Sequence, residues 1–126
     1  MSEYVLDASA VLALLNGEPD GDQVEKFLPD SVISAVNASE VLSKLVDAGM
    51  PVEEAVESFN LLGIEVLEFT KEHAERSASI HKSTRGIGLS LGDRCCLALG
   101  RHTGFKVITA DRRWTKARGC SVKIIR

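Results

Sequence analysis

Four acidic residues stand where carboxylate chemistry could be pooled. Asp7 closes the apolar run Tyr4-Val5-Leu6 and precedes the helix-forming stretch 8–15. Glu40 follows a second apolar run at Val32-Ile33, Asp93 follows Leu91-Gly92 at the head of an apolar helical stretch, and Asp111 follows Lys106-Val107-Ile108-Thr109-Ala110. Carboxylates held within a few Å of each other repel, and they bind protons more tightly unless a cation compensates. An all-oxygen cluster suits Mg²⁺ or Mn²⁺ rather than zinc. The cysteines offer no C-x₂-C spacing, and His73, His81 and His102 form no ligand motif, so surface or helix-packing roles are expected of the histidines.

Each acid also has a purely structural reading. Asp7 and Asp111 can cap the helical segments that follow them. Asp93 falls in the first turn of its helix, where an acid favours the macrodipole in any case. Glu40 lies on the opposite side of its helix from Val41, Leu42, Leu45 and Val46, so periodicity puts it on the solvated surface. Spacing alone does not bring Glu40 to the other three.

The elements that must position these residues are βα units. Strands are expected around residues 5, 33, 66, 107 and 123, separated by helices over 8–15, 22–28, 35–48, 51–62, 70–82 and 91–102. Helix 70–82 is expected to turn a small face inward (Ala74, Ser77, Ala78), and 83–88 reads as a flexible basic loop. Strict βα alternation argues a three-layer α/β/α fold with a five-stranded parallel sheet. The strands around 5, 33 and 107 are continuously apolar and belong in the middle, while those around 66 and 123 alternate with charges and belong at the edges. That gives the order 3-2-1-4-5, with the topological switch point between the first and fourth strands. Asp7 leaves one of these strands and Asp111 the other.

The 126 residues are read as one domain, 1–126, long enough for a sizeable core. Residues 1–70 carry 14 acids and two bases, Lys26 and Lys44, whereas residues 71–126 carry four acids and 13 bases. A basic half suits a polyanionic partner, although the halves can also neutralise one another on folding. Cys95, Cys96 and Cys120 make no disulfide framework and point to a reducing, cytoplasmic setting. No signal peptide or membrane-length apolar run is visible.

Val5-Leu6-Asp7-Ala8-Ser9, Glu40 in a helix after the second strand, Leu89-Ser90-Leu91-Gly92-Asp93 opening a helix, and Thr109-Ala110-Asp111 closing a strand together resemble the PIN-domain family. The length and N-terminal start resemble its VapC-type toxin branch, small ribonucleases of toxin–antitoxin pairs. The resemblance covers nearly the whole chain, and it rests on the ordered set of four rather than on any single motif. It implies a Mg²⁺- or Mn²⁺-dependent endoribonuclease with Asp7, Glu40, Asp93 and Asp111 as the acidic metal site, and it supplies the placement of Glu40. It implies that Ser9 and Thr109 support the acids by hydrogen bonding. It also implies a homodimer and a small VapB-type antitoxin that blocks the site.

In such a site the expected reaction is in-line attack of an activated water on a phosphodiester of RNA, leaving a 5′-phosphate and a 3′-hydroxyl. A negative cluster repels RNA, so Arg85, Arg94, Arg112, Arg113 and Lys116 are expected to meet phosphates, with solvated surface charge as their alternative. A haloacid-dehalogenase-like phosphatase also begins strand-Asp but wants a second Asp where Ser9 stands. A receiver-type phosphoacceptor fits less well. A non-catalytic PIN-like RNA- or protein-binding module, or an RNA-processing nuclease that is not a toxin, stays open at this point; the presence of all four acids favours catalysis.

Overall fold

The computed structural model describes residues 1–116 and 119–126. Five parallel strands form one sheet in the order β3-β2-β1-β4-β5, as the apolar and alternating patterns predict. The strands are β1 (Tyr4–Leu6), β2 (Ser31–Ser34), β3 (Glu65–Leu67), β4 (Lys106–Thr109) and β5 (Val122–Ile124). The helices are α1 (Ala8–Leu15), α2 (Gly21–Glu25), α3 (Ala35–Asp47), α4 (Val52–Asn60), α5 (Lys71–Thr84) and α6 (Leu91–Thr103).

Alternation along the central strands divides the core into two halves. Leu6, Ile33 and Ile108 face one side and pack with α1, α2, α3 and α4 through Val11, Val24, Val41 and Phe59. Val5, Val32 and Val107 face the other side and pack with Ile80 of α5, Leu97 and Leu99 of α6, and Trp114. Cys95 and Cys96 are buried free thiols in α6. Among the described residues no helix is long and apolar enough to cross a membrane.

Two expectations need correction. The inner face of α5 is His73, Ser77, Ile80 and Thr84, whereas Ala74 and Ala78 are exposed. The physical reason is a capping box: Thr70 N–H donates to His73 Nδ1 and His73 N–H donates to Thr70 Oγ1, which turns the His73 ring inward. Residues 83–88 are not a loop throughout. The helix runs to Thr84, whose hydroxyl donates to Ile80 O, and continues as a 3₁₀ turn over Arg85–Ile87. Gly88, at φ 76°, then reverses the chain into α6.

Candidate active site

Because β1 and β4 are adjacent and parallel, their C-terminal ends deliver Asp7 and Asp111 to the same edge of the sheet. Asp7 follows β1 with extended backbone and caps α1, its carboxylate accepting from Ser9 N–H at 3.4 Å. The structural reading of Asp7 therefore holds, but it is not the whole of its surroundings. Asp7 is only 4% exposed. Its Oδ2 also accepts from Ser9 Oγ at 2.5 Å and from Thr109 Oγ1 at 2.9 Å. The two hydroxyls in turn accept from the next backbone amides, Ala110 N–H to Ser9 Oγ at 3.0 Å and Asp111 N–H to Thr109 Oγ1 at 3.1 Å. Each hydroxyl has one proton, so donation to Asp7 leaves the 3.2 Å approach of Ser9 Oγ to Thr109 Oγ1 as a contact rather than a further bond. The three bonds to Asp7 all converge on Oδ2, and Oδ1 receives none of them.

Burial pushes the Asp7 carboxyl up from 3.8 to about 6, and the nearby Asp93 and Glu40 charges push the same way. The Ser9 and Thr109 hydroxyls oppose the shift by bonding the charged form.

Asp93 sits at the third position of α6 and closes a second capping box. Its Oδ2 accepts from Ser90 N–H at 2.9 Å while Ser90 Oγ accepts from Asp93 N–H at 3.2 Å. Asp111 caps the 3₁₀ turn Arg112–Lys116, its Oδ1 accepting from Arg113 N–H at 2.9 Å. The Arg113 guanidinium beside it holds the Asp111 carboxyl below the usual carboxylate range.

Glu40 is brought in by a route that periodicity does not show. The buried face of α3 is Asn37, Ala38, Val41 and Leu45, while Val46 is 37% exposed, so the apolar stripe is rotated from the one the sequence suggests. Glu40 is half-buried on the flank facing the start of α6. Asn37, fully buried, donates from Nδ2 to Glu40 Oε1 at 2.7 Å and to Gly92 O at 3.0 Å. A Cβ at position 92 would stand 2.5 Å from the Glu40 carboxyl carbon and from both its oxygens. Gly92 thus makes room for the carboxylate.

The four acids line one cavity of about 180 Å³, together with Ala8, Ser9, Leu12 and Lys44. Lys44 was not singled out from the sequence. The signal was there: it lies one helical turn after Glu40, and it is one of two bases among the first 70 residues. Asn37 was missed as well, because an Asn in a helix carries no functional signature.

Among the described residues, no group of three or more His, Cys, Asp or Glu is gathered tightly enough to hold an ion directly. The donor set nonetheless fits Mg²⁺ or Mn²⁺. It is all oxygen, Asp7 Oδ1 accepts no hydrogen bond from the described residues, and Mg²⁺ commonly takes one or two carboxylates and keeps several waters.

The basic residues divide. Arg113 lies at the acids, with Nη2 3.8 Å from Asp93 Oδ2. Arg112 is exposed and donates from Nε to Arg126 O at 3.2 Å, and Arg85 and Lys116 are exposed on neighbouring 3₁₀ turns. Arg94 does not line the acidic cavity. Its Nη1 donates to Leu89 O, and it lines a separate groove with Phe69, Ala74 and His81.

The family model described as PIN domain matches residues 4–119. No curated protein matches. Several solved structures share the fold at low identity. A toxin–antitoxin complex from Klebsiella pneumoniae superposes with a TM-score of 0.78 at 19% identity, covering 98% of each chain. DNA-bound VapBC from Salmonella typhimurium gives 0.80 at 15% identity over 100% of each chain. VapC20 from Mycobacterium tuberculosis, described as a sarcin-ricin loop cleaving toxin, gives 0.76 at 16% identity, covering 95% of this chain and 98% of that one.

Proposed function

The chain belongs to the PIN-domain family, and from that premise we propose that it is a divalent-metal-dependent endoribonuclease, the toxin of a VapBC-type pair. The observation that carries this reading is the single cavity lined by Asp7, Glu40, Asp93 and Asp111 at the C-terminal ends of β1 and β4. The toxin–antitoxin structures it resembles support the assignment to a toxin.

Asp7, Asp93 and Asp111 would hold Mg²⁺ or Mn²⁺, directly or through water, and Glu40 would orient the attacking water or a second ion. Such an ion supplies positive charge to the phosphate oxygens and makes a nearby water acidic enough to attack at neutral pH. The protein's own part is positioning. Ser9 and Thr109 lock Asp7 through Oδ2 and leave Oδ1 for the cation. Asn37 holds Glu40 through Oε1, so Oε2 is the atom available to accept a proton from the attacking water. Lys44 lines the cavity and Arg113 reaches Asp93 and Asp111; together with the exposed Arg85, Arg112 and Lys116 they would offer positive charge to the RNA backbone. Arg94 remains a candidate only for nucleotides farther along the chain, since it faces the other groove.

The partners we propose are a second copy of the chain and a small antitoxin, with the cytoplasm as the setting. The apolar side chains exposed near the acidic edge and on α3 and α4, among them Leu91, Val46, Val52 and Val56, are available for such contacts.

The test is the chemistry of the product ends. End-labelled single-stranded RNA cleaved by the purified protein should yield 5′-phosphate and 3′-hydroxyl termini, because no step requires the 2′-hydroxyl. A 2′,3′-cyclic phosphate would contradict the mechanism. Binding to the RNA should weaken steeply with salt.

A further inference from the structure

Arg113 is more than one of several cations at the rim. Its backbone N–H and Nε donate to Asp111 Oδ1 at 2.9 and 3.0 Å, and its Nε and Nη2 donate to Asp111 Oδ2 at 3.1 and 2.5 Å. An ionised carboxylate offers about four acceptor positions. Three N–H groups of Arg113, with the one Nε proton shared between Oδ1 and Oδ2, thus engage both Asp111 oxygens, and two of the three belong to its side chain. The same Nη2 lies 3.8 Å from Asp93 Oδ2, and Nη1 is tethered to Gly88 O at 3.1 Å. One guanidinium thus ties two of the four acids to the turn that precedes α6. Yet the Arg113 side chain is 52% exposed, so it can leave without opening the core.

We infer that Arg113 is a resident counter-cation of the acidic site, competing with the divalent ion for Asp111 and swinging out to the RNA backbone when the ion binds. The inference rests on the proposed reading of Asp93 and Asp111 as residues that hold the ion. The carboxylates repel one another without a cation, and a guanidinium supplies that charge in planar, bidentate form. A divalent ion reaching Asp111 meets oxygens already occupied and a positive charge in the way. The displaced arm carries its charge to the mouth of the cavity, where a phosphodiester must lie.

The experiment measures metal binding rather than cleavage. Mn²⁺ is titrated into the full-length protein at low ionic strength, with bound ion followed by electron paramagnetic resonance and by calorimetry, for wild type, Arg113→Gln and Arg113→Lys. Arg113→Gln should tighten Mn²⁺ binding roughly two- to fivefold, the scale of one partly exposed charge pair. Arg113→Lys, which keeps the charge but loses the fork, should fall between. In wild type, the Nε–H resonance of Arg113 should shift as Mg²⁺ is added, over the same concentrations that saturate the site; this arm needs no variant to fold. Mn²⁺ bound equally or more weakly by Arg113→Gln with native circular dichroism, or an unmoved Nε–H resonance at saturating Mg²⁺, would overturn the inference while leaving the nuclease reading intact. Failure of wild type and both variants alike to bind Mn²⁺ would overturn the metal reading and this inference with it.

Discussion

The carboxylate of Glu40 occupies the space that a side chain at position 92 would need. A Cβ on Gly92 would lie 2.5 Å from the Glu40 carboxyl carbon and from both oxygens. Gly92 is fixed in the first turn of α6, whereas the Glu40 carboxylate is the end of a flexible side chain and can swing away at the cost of its bond from Asn37 Nδ2. Gly92→Ala is expected to push Glu40 out of the cavity. Alanine favours the helix by up to about 1 kcal/mol over glycine, which offsets part of the cost of the shift. The expected result is a melting temperature within a few degrees of wild type and a loss of RNA cleavage of about tenfold or more. Parallel denaturation and kcat/KM measurements check it, and wild-type cleavage would contradict the placement of Glu40.

Asn37 joins the same two elements from beneath. Removing its amide leaves Gly92 O and Glu40 Oε1 without their buried donor. Asn37→Ala is expected to cost about 1–3 kcal/mol in urea denaturation. Cleavage should fall through kcat more than through KM, because Asn37 reaches the substrate only through Glu40. A stability loss with unchanged kcat would make Asn37 purely structural.

Asp7 gives a pH dependence with a definite sign. Its carboxyl is raised from 3.8 to about 6 in the folded protein, chiefly by burial. Between those values the folded state holds a proton that the unfolded chain releases, so this group's contribution to stability falls as pH rises and is gone above about 6. Asp7→Asn removes the ionisation while keeping an acceptor for Ser9 and Thr109. In EDTA at pH 7–8 the variant should be more stable than wild type by about 2–3 kcal/mol, with the gap closing towards pH 4. Asp111, lowered by Arg113, has the opposite sign but is common to both proteins and cancels in the difference. A gap independent of pH would contradict the burial argument.

The hydroxyls at Asp7 should reveal themselves in the same titration. Ser9 and Thr109 lower the Asp7 carboxyl against the effect of burial. Thr109→Val removes one donor and strands the Asp111 N–H that Thr109 accepts. The midpoint of Asp7, followed by carboxyl carbon NMR in the metal-free protein, should move above about 6. An unmoved midpoint would assign Thr109 a role in closing the strand end only.

The sheet order was legible because burial on both faces demands continuous apolar strands. Val5-Leu6, Val32-Ile33 and Val107-Ile108 supply them, whereas Glu65 and Lys123 mark the edges. Asp7 and Asp111 followed from that order, since both leave central parallel strands at the switch point. Glu40 did not follow. Its position depends on how far α3 rotates against the sheet and on a glycine 52 residues later, and neither shows in helical periodicity. The inner face of α5 was misread for a related reason. A histidine in a capping box packs inward there, while the alanines that look like a packing face meet solvent. Arg94 shows the limit of sequence adjacency: next to Asp93 in the chain, it faces a different groove because neighbouring helical residues point about 100° apart.

The most direct test of the account is cleavage of end-labelled single-stranded RNA by purified, partner-free protein in Mg²⁺ or Mn²⁺, with EDTA and Asp93→Asn as controls. Asp93→Asn can keep the cap on α6 through its amide oxygen, so a loss of activity reports on the charge rather than the helix. The expected result is cleavage by wild type, abolished by EDTA and reduced by several orders of magnitude in Asp93→Asn. Cleavage that survives both controls, or its absence from wild type that binds Mn²⁺ normally, would contradict the assignment of these four acids as a nuclease site.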